Sequence, residues 1–193
     1  EVHFIYTNSI HTNSVHTDSV LSMETPTHVF FYGHKPNSLG VHIFSQFYQC
    51  SFTDPETRKT YTSAEQWMME HKALHFGDHD VAAQIMTCTD PAQIKALGRK
   101  VRGFDDAKWD TVKFKIVVKG NTLKFSQNSG FKTRLASTGD KIIVEASPHD
   151  KVWGIGLSKE DAIKTNPSDW PGQNLLGLAL MEVRDSICDS LQD

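Results

Sequence analysis

The 193-residue sequence predicts a single compact, helix-rich α+β domain with a small β-sheet. Three observations carry that expectation. Several windows hold apolar residues at helical spacing between recognisable start and stop signals. Only a few short runs are β-branched or aromatic enough for strands. The length suits one core, and no linker, coiled coil or solenoid repeat divides it.

Residues 1–27 are rich in Ser, Thr, Asn and His, and SIHTNSVHTDSV holds a near-repeat. Too little there is apolar for a core, so a flexible N-terminal arm is expected, with the domain spanning 28–193. HVFFYG (28–33) reads as a strand and KPNSLG as a turn. IFSQFYQCSFT (43–53) has strand character in its second half, and DPETRK is a hairpin turn before TYT.

TSAEQWMMEHKALHFGD (62–78) predicts a helix over 62–76, with Thr62 and Ser63 as capping residues and Gly77 as terminator. At about 100° per residue, Ala64, Trp67, Met68, His71, Leu74 and His75 form an apolar arc, and Gln66 and Glu70 fall on the wet side. Trp67 and Met68 are expected buried, Gln66 and Glu70 exposed. Glu65 and Lys72 nearly superpose, two turns or about 10 Å apart, among Met68, Met69 and Phe76. A charge on a dry face is costly unless paired or used. Two structural readings compete with use: a capping box between Thr62 and Glu65, and a Lys72 stem lying on apolar surface with its head in water.

GDHDVAAQIMTC predicts a second helix capped by Asp78. DPAQIKALG predicts a short third one with Asp at the cap and Pro at its first position. DDAKWDTVKFKIVVKGNTLKFSQN reads as one long helix with Trp109, Val112, Ile116 and Leu123 as its core stripe. FKTRLASTG is another short helix, KIIVEAS (141–147) a strand, and the chain ends in an amphipathic helix from about Asn174.

A net charge of −3 hides an asymmetry: residues 91–141 hold twelve Lys or Arg against four Asp. A basic middle suits phosphate-bearing ligands or nucleic acid, although a solvated helix face gives the same pattern. No apolar run approaches a membrane span, and no secretory signal is expected. Three scattered cysteines without a CxxC argue for reduced thiols and a cytoplasmic or nuclear location. His71 and His75 have a zinc-compatible spacing but no HExxH, so structural roles are expected and no metal. No Walker, GxGxxG or GxSxG motif is present, and no cofactor is expected. Glu145, Asp150 and Trp153 cluster in VEASPHDKVWGIG, where a strand feeds a loop with Gly154 and Gly156. Trp153 there suits stacking on a planar base or a place in the core.

In order, FSQFY, YTSAEQWMMEHKALHFGD, IKALGRKVRGFDDAKW, KFSQN, LASTGD, VEASPHDKVWGIGL and WPGQNLLGLALMEVRD closely resemble the NADAR family, named for NAD and ADP-ribose. The likeness runs from about Phe30 to Ile187. It implies the family's compact helix-rich α+β fold and N-glycosidase chemistry. Some members cleave the base–ribose link of early riboflavin-pathway intermediates; others remove ADP-ribose from guanine in nucleic acid. Carried over by position, Glu65, Lys72 and Asp150 would be catalytic. Phe44, Ser45, Gln46, Phe47, Arg99, Trp153, Gly154 and Asn174 would meet the substrate. FSQF stands where many members show FSNF, which alters the contact at Gln46.

The resemblance raises the functional reading of Glu65 and Lys72 above the structural ones. A carboxylate can stabilise positive charge at C1 or activate water, and a lysine of lowered pKa can attack C1. The basic middle favours ADP-ribosylated guanine in DNA or RNA as substrate. A ribosylaminouracil intermediate is the alternative, and a non-catalytic ADP-ribose or NAD module is the reading of another class. No membrane and no obligate protein partner are expected.

Overall fold

The computed structural model describes residues 23–189; the expected arm lies outside them up to residue 22. Residues 23–27 are seated on the domain. Phe30 N–H donates to Met23 O at 2.7 Å, and the Glu24 carboxylate pairs with Arg134 and Lys141. The packed domain thus begins before His28.

The first strand, β1 (His28–Phe31), is followed by a 3-10 turn at Val41–Phe44. Strands β2 (Phe52–Thr53) and β3 (Thr60–Tyr61) form the expected hairpin around DPETRK, with Phe52 opposite Tyr61. Helix α1 (Ala64–His75) comes next, capped by Ser63, whose hydroxyl accepts from Gln66 N–H at 3.1 Å. Helices α2 (His79–Thr87) and α3 (Pro91–Gly98) are capped by Asp78 and Asp90 as expected. The single long helix expected after them is two: α4 (Asp106–Asp110) and α5 (Lys113–Ser126), separated by a turn at Thr111 and Val112. That turn re-aims the chain. The inward face of α5 becomes Val117, Gly120, Asn121, Lys124 and Phe125, while Val112, Ile116 and Leu123 are half-buried. Gly120 permits the close crossing of α5 on α1, since a Cβ there would sit 2.3 Å from Trp67.

Helix α6 (Ser129–Ala136) leads to β4 (Ile142–Glu145), then come α7 (Lys159–Lys164), unread from the sequence, and the terminal α8 (Leu175–Asp189). Strand β4 pairs in parallel with β1, Phe31 opposite Glu145, so the intervening helices form the crossover that a parallel pair requires. The small sheet is therefore two separate two-stranded pieces. Side chains of the parallel pair alternate: Val29, Phe31 and Ile143 enter the main helical core, and Phe30 and Val144 a smaller one with Ile155 and Ala162.

Helix α1 is the hub, packed against α2, α3 and α5. That corrects its expected wet side. Gln66 and Glu70 are each 1% exposed. Gln66 donates to Ile85 O (3.1 Å) and Cys88 O (2.8 Å) and accepts from Thr62 N–H (2.8 Å), tying the start of α1 to the end of α2. Glu70 accepts from Tyr61 Oη (2.7 Å) and pairs with Lys59. Polar groups can be buried here because each is satisfied. Leu74 and His75, expected inside, are exposed on the last turn, which runs past the enclosing helices.

Candidate active site

The capping geometry of α1 releases Glu65. The N-cap is Ser63 rather than Thr62, so the third helical position is Gln66, whose N–H donates to Ser63 Oγ and whose Oε1 accepts from Thr62 N–H. Glu65 N–H donates to Gln46 O at 2.9 Å, which fixes the FSQF segment against the helix start. The side chain then projects into a cavity of about 240 Å³. Met68, Met69 and Lys72 continue the α1 wall; Lys95, Gly98 and Arg99 add α3. Glu145 comes from the end of β4, Asp150 and Trp153 from the loop after it, and Ser45, Gln46 and Phe47 from the opposite side. Trp109 and Leu176 complete the lining.

Glu65 is 2% exposed, and its Oε1 is buried without a hydrogen-bond partner. Burial pushes its carboxyl up to about 7; Asp150 acts in the same direction, and Lys95, Arg99 and Lys72 oppose it. Lys72 is half-buried, with Nζ 3.9 Å from the centroid of the Phe104 ring. Burial holds its ammonium below the usual lysine range, against the pull of Asp106 and Glu65. Desolvation outweighs both of these charges. Asp150 is pinned by its own loop: Oδ1 accepts from Val152 N–H (2.9 Å) and Trp153 N–H (2.8 Å).

Eight of the eleven residues singled out in the sequence line this one cavity. Three do not. Phe44 is fully buried between the Phe31 and Phe125 rings. Gly154 lies behind the wall, where a Cβ would meet Glu145 O at 2.9 Å, so it sets the loop close against the strand. Asn174, at φ 54°, is a clamp. Its Oδ1 accepts from Glu145 N–H (3.0 Å) and its Nδ2 donates to Ile143 O (2.9 Å), so the side chain serves β4 as a further strand would. Arg99 stands exposed at the rim. Arg102, counted with it in the basic middle, is committed to Asp78 and Asp80 at 2.6 and 2.8 Å.

Glu145, named in the loop cluster but given no role there, and Lys95, passed over in the sequence, both line the cavity. Glu145 did carry a signal: it shares a strand face with Ile143, which is in the main core, so its carboxylate is on a dry face. Its Oε2 is buried without a partner, and burial with the nearby Asp150 and Glu65 charges pushes its carboxyl up to about 8, Lys95 opposing. Lys95 sits above the Phe47 ring, 5.5 Å from its centroid; one lysine among twelve basic residues carried no such signal.

The cavity opens into a wider groove of about 590 Å³, which shares Lys72, Lys95, Arg99 and Asp150 and adds Phe104, His149, Lys151, Asp106 and the ion pair of Lys113 with Asp110. Among the described residues, no three His, Cys, Asp or Glu are grouped to hold a metal ion. His71 stacks on Trp67 at 3.8 Å, and His75 is edge-on to Phe76. No helix is long and apolar enough to cross a membrane among these residues.

The family model described as the NADAR domain matches residues 30–188. The chain belongs to the NADAR family. One relative, N-glycosidase R617 of Acanthamoeba polyphaga mimivirus, is 51% identical over 84% of this chain and 98% of its own. The riboflavin biosynthesis protein PYRR of Zea mays is 28% identical over 75% of this chain, a match to 23% of that protein. The solution structure of Escherichia coli YbiA superposes with a TM-score of 0.70 at 23% identity, covering 89% of this chain and 91% of YbiA. That likeness shows the helix-rich fold to be the one this NADAR chain adopts.

Proposed function

We propose that the protein is an N-glycosidase that removes ADP-ribose from ADP-ribosylated guanine in DNA or RNA. The observation that carries this is one cavity gathering Glu65, Lys72 and Asp150 and opening into a basic, aromatic-walled groove. The inner space suits the ribose and the bond to be broken. The groove, with Arg99, Lys95 and Lys151 beside Phe104 and Trp153, suits a pyrophosphate and a further base. Cleaving a base–ribose bond develops positive charge at C1 and negative charge on the base. Glu65, ionised, stabilises the first and accepts a proton from the nucleophile. Lys72, its charge disfavoured by burial, is available to attack C1 and form an imine with the opened sugar, which water then hydrolyses.

The second reading is a ribosylaminouracil substrate of the riboflavin route, favoured by the name of the maize relative. Incubation with an ADP-ribosylated guanine oligonucleotide and, separately, with the ribosylaminouracil intermediate tests both. Mass spectrometry should show free ADP-ribose and restored guanine from the first. Release of ribose phosphate from the second alone would transfer the function to the small substrate, and cleavage of neither would end the glycosidase proposal.

A further inference from the structure

The site contains more acid than the two roles above use. Glu65 and Glu145 line the same cavity, one from α1 and one from β4, and each carries a buried oxygen without a partner. The backbone of Glu145 is bonded on both sides. Its N–H is bonded to Asn174 Oδ1, its carbonyl accepts from Ile155 N–H at 3.0 Å, and the 147–156 loop folds over it. A strand backbone fixed on both sides, carrying an unpartnered carboxyl on the dry face, is costly for the fold and suits a group that must be aimed.

We propose that Glu145 is the catalytic acid that protonates the departing base. This rests on the N-glycosidase reading. The step balances as follows. The C1–N bond breaks and its electron pair goes to the base nitrogen, which takes the proton from Glu145. The nucleophile, Lys72 amine or water, bonds to C1 and gives its proton to ionised Glu65. The proton on Glu65 then returns to Glu145 through the shared cavity or solvent, and the site is reset. The environments sort the two carboxyls in this direction. Glu145 faces Asp150 from the loop and Glu65 from α1, with Lys95 of α3 as its opposing cation. Glu65 faces Lys95, Arg99 and Lys72 against Asp150. Three cations oppose the burial of Glu65 and one that of Glu145, so Glu145 is the carboxyl whose protonated form its surroundings favour more. Two carboxyls whose surroundings separate them in this way divide into acid and base.

Glu145→Gln tests the assignment through the leaving group. A guanine leaving group needs a proton; nitrophenolate departs without one. With ADP-ribosylated guanine oligonucleotide, the variant should lose roughly 10²–10⁴-fold in kcat/KM, the usual worth of a general acid. With the 4-nitrophenyl glycoside of ADP-ribose it should lose less than about tenfold, because no proton transfer is removed there. Equal losses on both substrates, or no loss on guanine, would overturn the proposal. A wild-type enzyme that cleaves neither would overturn the glycosidase reading and this one with it. Glu65→Gln, by contrast, should fail on both. If Glu145→Gln does not fold, judged by circular dichroism, the wild type decides: a basic limb near pH 8 for guanine release and none for nitrophenolate supports the acid, and the same limb on both refutes it.

Discussion

Glu65 works against the stability of the fold that holds it, and Glu65→Gln measures by how much. The amide keeps the shape of the side chain and removes the charge. The carboxyl titrates at 4.5 when unperturbed and at about 7 in the fold, chiefly through burial. Folded Glu65 thus binds its proton more tightly than the unfolded chain does. Its contribution to stability is fully present below pH 4.5 and is lost as pH rises through about 7. That displacement corresponds to roughly 3 kcal/mol once both states are ionised. For a chain of this size each kcal/mol moves Tm by about 2–4 °C, so Glu65→Gln at pH 8 should melt about 6–12 °C above wild type. Near pH 4.5 the two should melt together. Thermal unfolding followed by circular dichroism at both pH values reads the difference, and the stabilised variant should be inactive. A variant no more stable than wild type at pH 8, or an offset independent of pH, would show that Glu65 is not a strained buried acid.

Lys124 offers the mirror case. Fully buried with Nζ on Ser45 O at 2.9 Å, it is pushed down to about 8 by desolvation, so its cost is present below pH 8 and relieved towards 10.5. Wild type should therefore gain stability from pH 8 upward by up to roughly 3 kcal/mol, and Lys124→Met should lose that gain; parallel curves would refute it. Asn174→Ala strips both bonds from β4 and should cost about 2–4 kcal/mol in urea unfolding, with turnover falling because Glu145 is no longer aimed. Unchanged turnover would mean the clamp has no part in the site. Lys72→Arg keeps the charge but forms no imine; it should abolish turnover while retaining ADP-ribose binding, and borohydride should add the sugar to the wild-type Lys72 peptide only. Near-normal turnover would reduce the lysine to an electrostatic helper. Cleavage of the oligonucleotide should weaken as salt rises, through counterion release at the groove, and a rate flat from low to high salt would remove nucleic acid from that surface.

The sequence by itself determined what is local. Asp78 and Asp90 cap their helices, Pro91 opens α3, and DPETRK turns the hairpin, because each signal acts within a few residues of its own backbone. The same short range places Glu65 and Lys72 on one face of α1 and Asp150 with Trp153 on one loop. The motifs told the family for the same reason. Tertiary structure decided the rest, wherever a residue answers to neighbours far along the chain. Gln66 and Glu70 look wet on a wheel and are dry because the end of α2 and the hairpin meet them and supply hydrogen bonds. The long helix breaks at Thr111 and Val112, so a different face of α5 meets α1. Asn174 resembles a ligand residue and is a clamp, because β4 needs a partner on its open side. Glu145 and Lys95, from β4 and α3, enter the cavity only once the crossover has brought those elements beside α1. A charge pattern records which groups are present. The cost of burying them, and hence which carboxyl keeps its proton, is set by the packing around them.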